Sequence, residues 1–264
     1  MSTTTTTPES ATAAVALSGV TKVYGRGADA VVALDRVSLD VAPGEFVCLV
    51  GASGCGKSTL LSLVAGLDTV SGGDIRVAGD ARPGLMFQEP ALFPWLTVGA
   101  NVEVPLKLRR LPTADRKARV AALLDTVHLS EFARRRPHEL SGGMRQRVAL
   151  ARTLALDTPV LLMDEPFGAL DAMTRDILHD ELERLWTSRN AAGQPLTVLF
   201  VTHNVREAAR LADRIVLLSS RPGRVSYETR VDVARPRRID SPEVSALAAD
   251  VTDRLRAEVG RHGH

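Results

Sequence analysis

Four short runs of apolar residues divide the chain and predict the strands of a buried sheet. The runs are residues 46–50, 160–163, 198–201 and 215–218. Apolar residues at successive rather than alternate positions fit strands that are covered on both faces, as in a parallel sheet. Helical patterns separate the runs, so the alternation of strand and helix predicts an α/β fold with a mainly parallel sheet.

Two regions depart from this alternation. Residues 98–140 predict two or three helices with no strand between them, which indicates a helical subdomain inserted into the sheet domain. Residues 17–40 show a looser alternation with Gly25 and Gly27, typical of an antiparallel β flank. We therefore expect a disordered N-terminal lead over 1–14, a sheet core over 15–97 and 157–240, a helical subdomain over 98–156, and a C-terminal helix and tail over 241–264.

The segment after Met173 has the spacing of a long amphipathic helix. Its predicted buried face comprises Ile177, Leu178, Leu182, Leu185 and Trp186, and its predicted polar face comprises Asp176, Asp180, Glu183 and Arg184. On the polar face Asp180 and Arg184 stand four residues apart, which favours an ion pair. Further along, residues 225–229 predict a short strand and residues 242–259 a last helix. The arginine-rich stretch 221–238 predicts a solvated face or, alternatively, a contact with lipid head groups.

Composition and charge narrow the class of protein. The chain has 264 residues, 45% of them hydrophobic and 24% charged, which is typical of a globular protein with a sizeable core. Its net charge of +2 is too small for a protein that coats nucleic acid, so no nucleic-acid partner is expected. Two cysteines cannot form a disulfide framework, which fits a reducing compartment. Only four of the basic residues are lysines, so each lysine invites a search for a specific role.

No part of the sequence predicts direct membrane insertion. No apolar run approaches the roughly 20 residues that span a bilayer. The Thr-rich start lacks the basic and apolar regions of a secretory signal. We therefore expect a soluble, cytoplasmic protein whose link to any membrane comes through a partner.

Residues 51–58 carry the GxxxxGK[ST] motif of a phosphate-binding loop, placed between an apolar run and a helical one. The predicted nucleotide-binding residues are Gly51, Ala52, Ser53, Gly54, Cys55, Gly56, Lys57, Ser58 and Thr59. By chance a sequence of this composition gives about 0.003 such matches. Glycines leave room for phosphate oxygens at backbone N–H groups, Lys57 places a charge on the β- and γ-phosphates, and Ser58 offers a hydroxyl to Mg²⁺. This loop alone does not distinguish between kinases, GTPases and motor ATPases.

The two cysteines have different expected surroundings. Cys48 lies within an apolar run and is expected in the core. Cys55 lies inside the phosphate-binding loop, where it is expected to be a small filler. The alternative is that the helix that follows lowers the pKa of the Cys55 thiol.

Further motifs follow the phosphate-binding loop. Ser141, Gly142, Gly143 and Met144 open an amphipathic helix, which makes a second anion-binding helix start or, taken alone, an ordinary serine N-cap. The apolar run 160–163 then ends in Asp164 and Glu165. In this Walker B arrangement Asp164 holds Mg²⁺ and Glu165 polarises the attacking water. His203 follows the apolar run 198–201, at the sheet edge where α/β proteins bind ligands.

Together these motifs resemble the nucleotide-binding subunit of an ATP-binding-cassette (ABC) transporter, from about residue 15 to residue 239. The resemblance implies a P-loop NTPase core that hydrolyses ATP with Mg²⁺, and it identifies residues 140–144 as the ABC signature. It also implies that Gln88 is the Q-loop residue, acting in catalysis and on the metal, and that Asp171 belongs to the D-loop. His203 is then the catalytic H-loop residue, and Tyr24 stacks on adenine.

The same resemblance implies the assembly. In this family two cassettes pair head to tail, so that each ATP lies between the P-loop of one copy and the Ser141 helix of the other. The expected partners are a second copy, a transmembrane permease subunit and a solute-binding protein. The expected location is the cytoplasmic face of the cell membrane, as a peripheral subunit.

Residues 87–98, 174–186 and 220–224 resemble importer ATPases of the nitrate, sulfonate and taurine group. The implied function is energising the uptake of a small anionic solute. The shortened stretch between Val77 and Met86 departs from this group. Two aromatic residues after the Q-loop, Phe93 and Trp95, line either a groove for a coupling helix of the permease or a contact with this chain's own helical subdomain.

Three other functions compete with import. The first is export by an ABC transporter. The second is a soluble ABC ATPase that acts on DNA or ribosomes, although such relatives commonly carry a coiled-coil insertion or two fused cassettes. The third is a small-molecule kinase, against which the signature segment argues.

Overall fold

The computed structural model describes residues 13–79 and 82–261. Most of the predicted lead over 1–14, positions 80 and 81 of the shortened stretch, and the last three residues of the tail lie outside the described residues. The described strands are β1 Val15–Tyr24, β2 Val31–Val41, β3 Phe46–Gly51, β4 Gly72–Val77, β5 Gly84–Met86, β6 Val160–Asp164, β7 Thr197–Val201, β8 Arg214–Leu218 and β9 Val225–Arg230. The described α-helices are α1 Lys57–Val64, α2 Val98–Leu108, α3 Thr113–Thr126, α4 Gly142–Leu154, α5 Ala172–Ala191, α6 Val205–Leu211 and α7 Pro242–Arg261.

The larger sheet has six strands in the order β5-β6-β7-β3-β8-β9. Neighbouring strands from β5 to β8 run parallel, and β9 pairs with β8 antiparallel. Every residue of β3, β6 and β7 is buried, as the uninterrupted apolar runs predict for strands covered on both faces. The predicted α/β class and mainly parallel sheet are confirmed.

The smaller sheet is the predicted antiparallel flank. Its three strands have the order β2-β1-β4, and both pairings are antiparallel. The inward side chains of these strands share a hydrophobic cluster with α1 and with one face of the larger sheet, including Leu17, Leu34 and Leu60. The small sheet therefore packs against the helix that follows the phosphate-binding loop.

Helices α2, α3 and α4 form the inserted helical part of the fold, between β5 and β6. Two of them begin at a hydroxyl side chain: the Thr97 oxygen accepts from the N–H of Ala100 at 3.2 Å, and the Ser141 oxygen accepts from the N–H of Met144 at 3.2 Å. These N-caps satisfy donors that a helix start otherwise leaves unpaired. Among the described residues, no helix is long and apolar enough to cross a membrane.

The predicted faces of α5 are partly wrong. Ile177 is 38% exposed, whereas Glu183, assigned to the polar face, is only 8% exposed. The predicted ion pair also takes other partners, because Asp180 pairs with Arg210 of α6 and Arg184 pairs with Glu181. Packing against α6 and the C-terminal segment decides the contacts of Asp180 and Glu183, and helical spacing carries no information about either neighbour.

The arginine-rich stretch 221–238 is not the uniformly solvated face that its composition suggests. Arg235 donates to Glu183 at 2.9 Å and to Asp213 at 2.8 Å, and its guanidinium lies 4.5 Å from the centre of the Trp186 ring. Arg237 is only 6% exposed and donates to backbone carbonyls, including that of Val233 at 2.7 Å. These two arginines tie the segment after β9 to the rest of the core.

Candidate functional site

The phosphate-binding loop connects β3 to α1 in a conformation that requires glycine. Gly54 and Gly56 have φ angles of +74° and +102°, where side chains other than glycine are rarely found. A Cβ at Gly56 would lie 2.7 Å from Leu34 Cδ2 and 2.9 Å from the carbonyl oxygen of Ala33. The loop therefore lies directly against β2, and only glycine fits at this approach.

Lys57, the first residue of α1, is only 7% exposed. Its Nζ donates to the carbonyl oxygens of Gly51 at 2.8 Å and Ala52 at 2.9 Å. The loop's own carbonyls thus hold the ammonium group beside the cavity, where a phosphate could replace them. Cys55 of the loop is buried, as expected of a small filler. The other cysteine, Cys48, lies in the core, and burial raises the pKa of its thiol well above the ordinary value.

A cavity of about 420 Å³ opens beside this loop. It is lined by Tyr24, Val31, Ala33, Ser53, Gly54, Gly56, Lys57, Ser58, Thr59, Gln88, Glu165 and Arg221. The fold therefore brings most of the loop, the Q-loop glutamine, Glu165 and Tyr24 to one place. In the described part of the chain, the signature residues, Asp171 and His203 do not line this cavity.

Asp164, the last residue of β6, is 9% exposed, and burial raises its pKa above the ordinary value. A hydrogen bond with Ser58 opposes that rise. Its Oδ1 is buried without a hydrogen-bond partner among the described residues. An unpaired buried carboxylate oxygen beside a hydroxyl suits Mg²⁺, which takes oxygen ligands and commonly completes its shell with phosphates and water. These residues therefore fit the expected metal.

Glu165 lies between two of the predicted catalytic residues. Its Oε2 accepts from Gln88 Nε2 at 3.5 Å and lies 3.0 Å from His203 Nδ1. The three side chains follow β5, β6 and β7, which are neighbours in the sheet, so their carboxyl ends meet at one edge. A carboxylate held there between an amide and an imidazole can accept a proton from water.

The signature residues form a helix start of their own. Ser141 is the N-cap of α4, and a Cβ at Gly143 would lie 3.0 Å from Leu170 Cδ2. Asp171 caps α5 by accepting from the N–H of Thr174 at 2.9 Å, and that backbone bond lowers the pKa of Asp171. The uncharged Ser141 cap leaves the start of α4 able to bind an anion, whereas the Asp171 carboxylate already occupies the start of α5.

Comparison with known proteins identifies the family. A family model described as "ABC transporter" matches residues 34–168. This chain belongs to the ABC transporter family. The cassette is 45% identical over 223 residues to the nitrate import ATP-binding protein NrtD of Synechocystis sp., covering 82% of each chain. It is also 45% identical over 246 residues to the aliphatic sulfonates import ATP-binding protein SsuB 1 of Mesorhizobium japonicum, covering 92% of this chain and 88% of the relative.

Solved ABC cassettes have the same fold. The dimeric post-hydrolysis structure of the ATP-binding cassette MJ0796, bound to ADP and Pi, matches with a TM-score of 0.75 and 33% identity. The match covers 83% of this chain and 100% of that one. Family and fold together make this chain an ATP-hydrolysing ABC cassette, as the sequence motifs predict.

Three side chains that the sequence analysis missed hold the Q-loop segment of this cassette. Gln146 on α4 donates to the carbonyl oxygen of Gln88 at 3.4 Å, and Arg152 donates to that of Pro90 at 2.9 Å. Asn101 on α2 is fully buried and accepts from the N–H of Phe93 at 2.8 Å. The helical subdomain is thus bonded directly to the Q-loop. An amide or guanidinium on a helix gives no sequence signal for such a contact.

Arg221 is a further residue that the sequence analysis placed elsewhere, within the solvated stretch. It lines the cavity of this cassette, and its Nη2 lies 3.5 Å from the carbonyl oxygen of Gly54. The turn that carries it is fixed, because Gly223 bonds to Ala33 at 2.9 Å and Arg224 pairs with Asp35. Arg221 therefore adds a second positive charge beside the phosphate-binding loop.

Proposed function

We propose that this cassette is the ATP-hydrolysing subunit of an importer that takes up a small anionic solute such as nitrate or a sulfonate. The proposal that two copies of the chain assemble rests on the separation of the two anion-binding helix starts. The P-loop lines the cavity, whereas the Ser141 helix start does not line it in the described part of one chain. The names of the 45% identical relatives support the direction and class of transport.

Nucleotide binding uses the residues that line the cavity, together with Asp164 at the end of β6. The P-loop backbone and Lys57 bind the β- and γ-phosphates, and Tyr24 stacks on adenine. Ser58, Gln88 and Asp164 would hold Mg²⁺, which would neutralise charge on the phosphate oxygens. The Asp164 oxygen that has no hydrogen-bond partner among the described residues supports this assignment.

Hydrolysis uses the cluster around Glu165. The carboxylate accepts a proton from the water that attacks the γ-phosphate, and His203, 3.0 Å away, holds it in place. Gln88 is the third member of the cluster and joins it to the helical subdomain through Gln146. Cleavage of the γ-phosphate can therefore affect α4 through the hydrogen bonds of Gln88 with Glu165 and Gln146.

A second copy of the chain completes each site. Its Ser141, Gly142, Gly143 and Met144 contact the ATP held by the first copy, and its D-loop residue Asp171 borders the same interface. ATP binding then closes the pair, and hydrolysis opens it. The dimeric MJ0796 cassettes support this arrangement for the present chain.

The permease binds next to the Q-loop. Phe93 lies against the chain's own helical subdomain, with the Arg152 guanidinium 5.8 Å from its ring centre. Trp95, whose ring centre is 5.5 Å from that of Phe93, is 68% exposed. An exposed tryptophan beside a fixed aromatic is suited to an interface anchor. We assign Trp95 to the contact with a coupling helix of the permease, which holds the cassette at the cytoplasmic face of the membrane.

Uptake into vesicles tests this function. The cassette is co-purified with its permease and solute-binding protein, and nitrate, an alkanesulfonate and taurine are offered separately. ATP-dependent accumulation of one of these anions is the expected result. ATP hydrolysis without accumulation of any, or ATP-driven loss of solute from loaded vesicles, would contradict import of this solute class.

Trp95→Ala tests the permease contact within the same system. We expect it to abolish coupled uptake while the isolated cassette hydrolyses ATP at its normal rate. Leu108→Ala is a matched control, because Leu108 is 77% exposed on α2. Unchanged uptake by the Trp95→Ala complex would remove Trp95 from the interface.

A further inference from the structure

Two of the four lysines are buried, and only one of them belongs to the P-loop. Lys57 and Lys22 are each 7% exposed, whereas the other two lysines are exposed on helices of the helical subdomain. A buried lysine needs a partner, because desolvation of an unpaired ammonium group is costly. Lys22 lies on β1, two residues before Tyr24, and its partners connect it to the nucleotide cavity.

Asp68 joins Lys22 to Tyr24. Lys22 Nζ donates to Asp68 Oδ1 at 2.6 Å, and the Tyr24 hydroxyl donates to Asp68 Oδ2 at 3.0 Å. Lys22 Nζ also donates to the carbonyl oxygen of Thr69 at 2.8 Å. Hydrogen bonds from Lys22, from the backbone N–H of Thr69 and from Tyr24 lower the pKa of Asp68, so it remains a charged acceptor for the lysine and the tyrosine.

Lys22 also contacts the ring of Tyr24 itself. Its Nζ lies over the ring, 4.8 Å from the ring centre, within the range of a cation–π interaction. The ammonium group covers one face of the ring, so a flat ligand can stack only on the other. Tyr24 is 44% exposed and lines the cavity, so a ligand can reach it there.

We propose that Lys22 and Asp68 are positioning residues that fix the Tyr24 ring for stacking on the purine base of the nucleotide. The proposal rests on the proposed adenine-binding role of Tyr24. Asp68 comes four residues after the end of α1, the helix that begins at the P-loop. The same short stretch of chain therefore forms the phosphate site and orients the Tyr24 ring. The pair contributes to affinity for the base and leaves affinity for the phosphates unchanged.

The test compares ATP with inorganic tripolyphosphate, which lacks the base and the ribose. Binding of both is measured by titration calorimetry for the parent chain, Asp68→Asn, Lys22→Met and Tyr24→Phe. The last variant keeps the ring and loses only the hydroxyl that bonds to Asp68. We expect ATP binding to weaken roughly 3- to 10-fold in each variant, and tripolyphosphate binding to stay within about twofold of the parent.

Two further variants test whether the loss of ATP binding is specific to the Lys22–Asp68 pair. Lys107→Met removes an exposed lysine that pairs with Glu103 at 2.8 Å on α2, and it should leave both ligands unaffected. In a Tyr24→Ala background, Asp68→Asn should cause no additional loss of ATP binding, because the group that it positions is already absent.

The outcomes separate this inference from the proposal on which it rests. If Tyr24→Ala itself fails to weaken ATP binding by roughly 5-fold or more relative to tripolyphosphate, the adenine-stacking role fails. If Tyr24→Ala weakens it but Asp68→Asn, Lys22→Met and Tyr24→Phe do not, only the positioning role fails. Equal loss of ATP and tripolyphosphate binding would show that the pair merely supports the fold, and would also overturn the inference.

Discussion

Replacing Glu165 with glutamine isolates the chemical step of ATP hydrolysis. Glutamine has nearly the same size and keeps a carbonyl oxygen that can accept from His203, now 3.0 Å from Glu165 Oε2. The variant loses the negative charge and the proton acceptor while the contacts around it can persist. A positioned general base contributes about 10²- to 10⁴-fold to the rate, or about 3–5 kcal/mol of activation free energy. We expect hydrolysis to fall by that factor and ATP binding to persist.

Single-turnover hydrolysis with the protein in excess over radiolabelled ATP measures this effect without product release. Equilibrium binding of ATP is measured on the same preparations. Glu89→Gln is a matched control, because Glu89 is exposed and lies next to Gln88. A decrease in hydrolysis of less than about tenfold for Glu165→Gln would refute the assignment of the base. An equal loss of ATP binding would show that Glu165 acts in binding instead.

Three other perturbations have directions fixed by the structure. Arg235→Ala leaves Glu183 buried without its partner and should lower the free energy of unfolding by about 3–5 kcal/mol in urea denaturation. Burial raises the pKa of Asp164, so its charge destabilises the folded state at neutral pH. Asp164→Asn should therefore raise the melting temperature of the nucleotide-free chain near pH 7.5, and this gain should vanish below the ordinary pKa of 3.8, where both side chains are neutral. Arg221→Ala should weaken nucleotide binding roughly 3- to 30-fold, measured by titration calorimetry, because it removes a positive charge near the phosphates.

Each of these predictions has a control or a contradicting result. Arg238→Ala removes an exposed ion pair with Asp240 and should change the unfolding free energy by less than about 1 kcal/mol. A lower melting temperature for Asp164→Asn at neutral pH would contradict the burial argument. Arg206→Ala removes an exposed arginine of α6 that does not line the cavity, and it should leave nucleotide affinity close to that of the parent. Equal losses in these two variants would contradict a specific role of the Arg221 charge.

Contiguous patterns were enough to predict the core of this fold. The buried strands β3, β6 and β7 appear in the sequence as uninterrupted apolar runs, because both of their faces are covered. The P-loop follows from the spacing of Gly51, Gly56 and Lys57, since its chemistry needs these residues in one short stretch. Parallel strands then bring their carboxyl ends together, which places Glu165 near His203.

Contacts between distant segments escaped the sequence analysis. Asp68 is 44 residues from Tyr24, and nothing in either local pattern indicates that they are bonded. Arg235 and Arg237 were expected on a solvated face because arginine is usually exposed, yet carboxylates and carbonyls from other elements surround them. Burial of a charged side chain depends on partners that only the tertiary fold supplies.

The shared ATP site is tested most directly by mixing two inactive variants. Lys57→Ala removes the P-loop lysine, and Ser141→Arg blocks the signature helix start. If each site takes Lys57 from one copy and Ser141 from the other, neither variant alone can build an intact site. In an equal mixture about a quarter of the sites combine an intact P-loop with an intact signature helix. ATP hydrolysis should therefore appear on mixing. A mixture as inactive as its components, or full activity of Ser141→Arg alone, would contradict a site built from two copies.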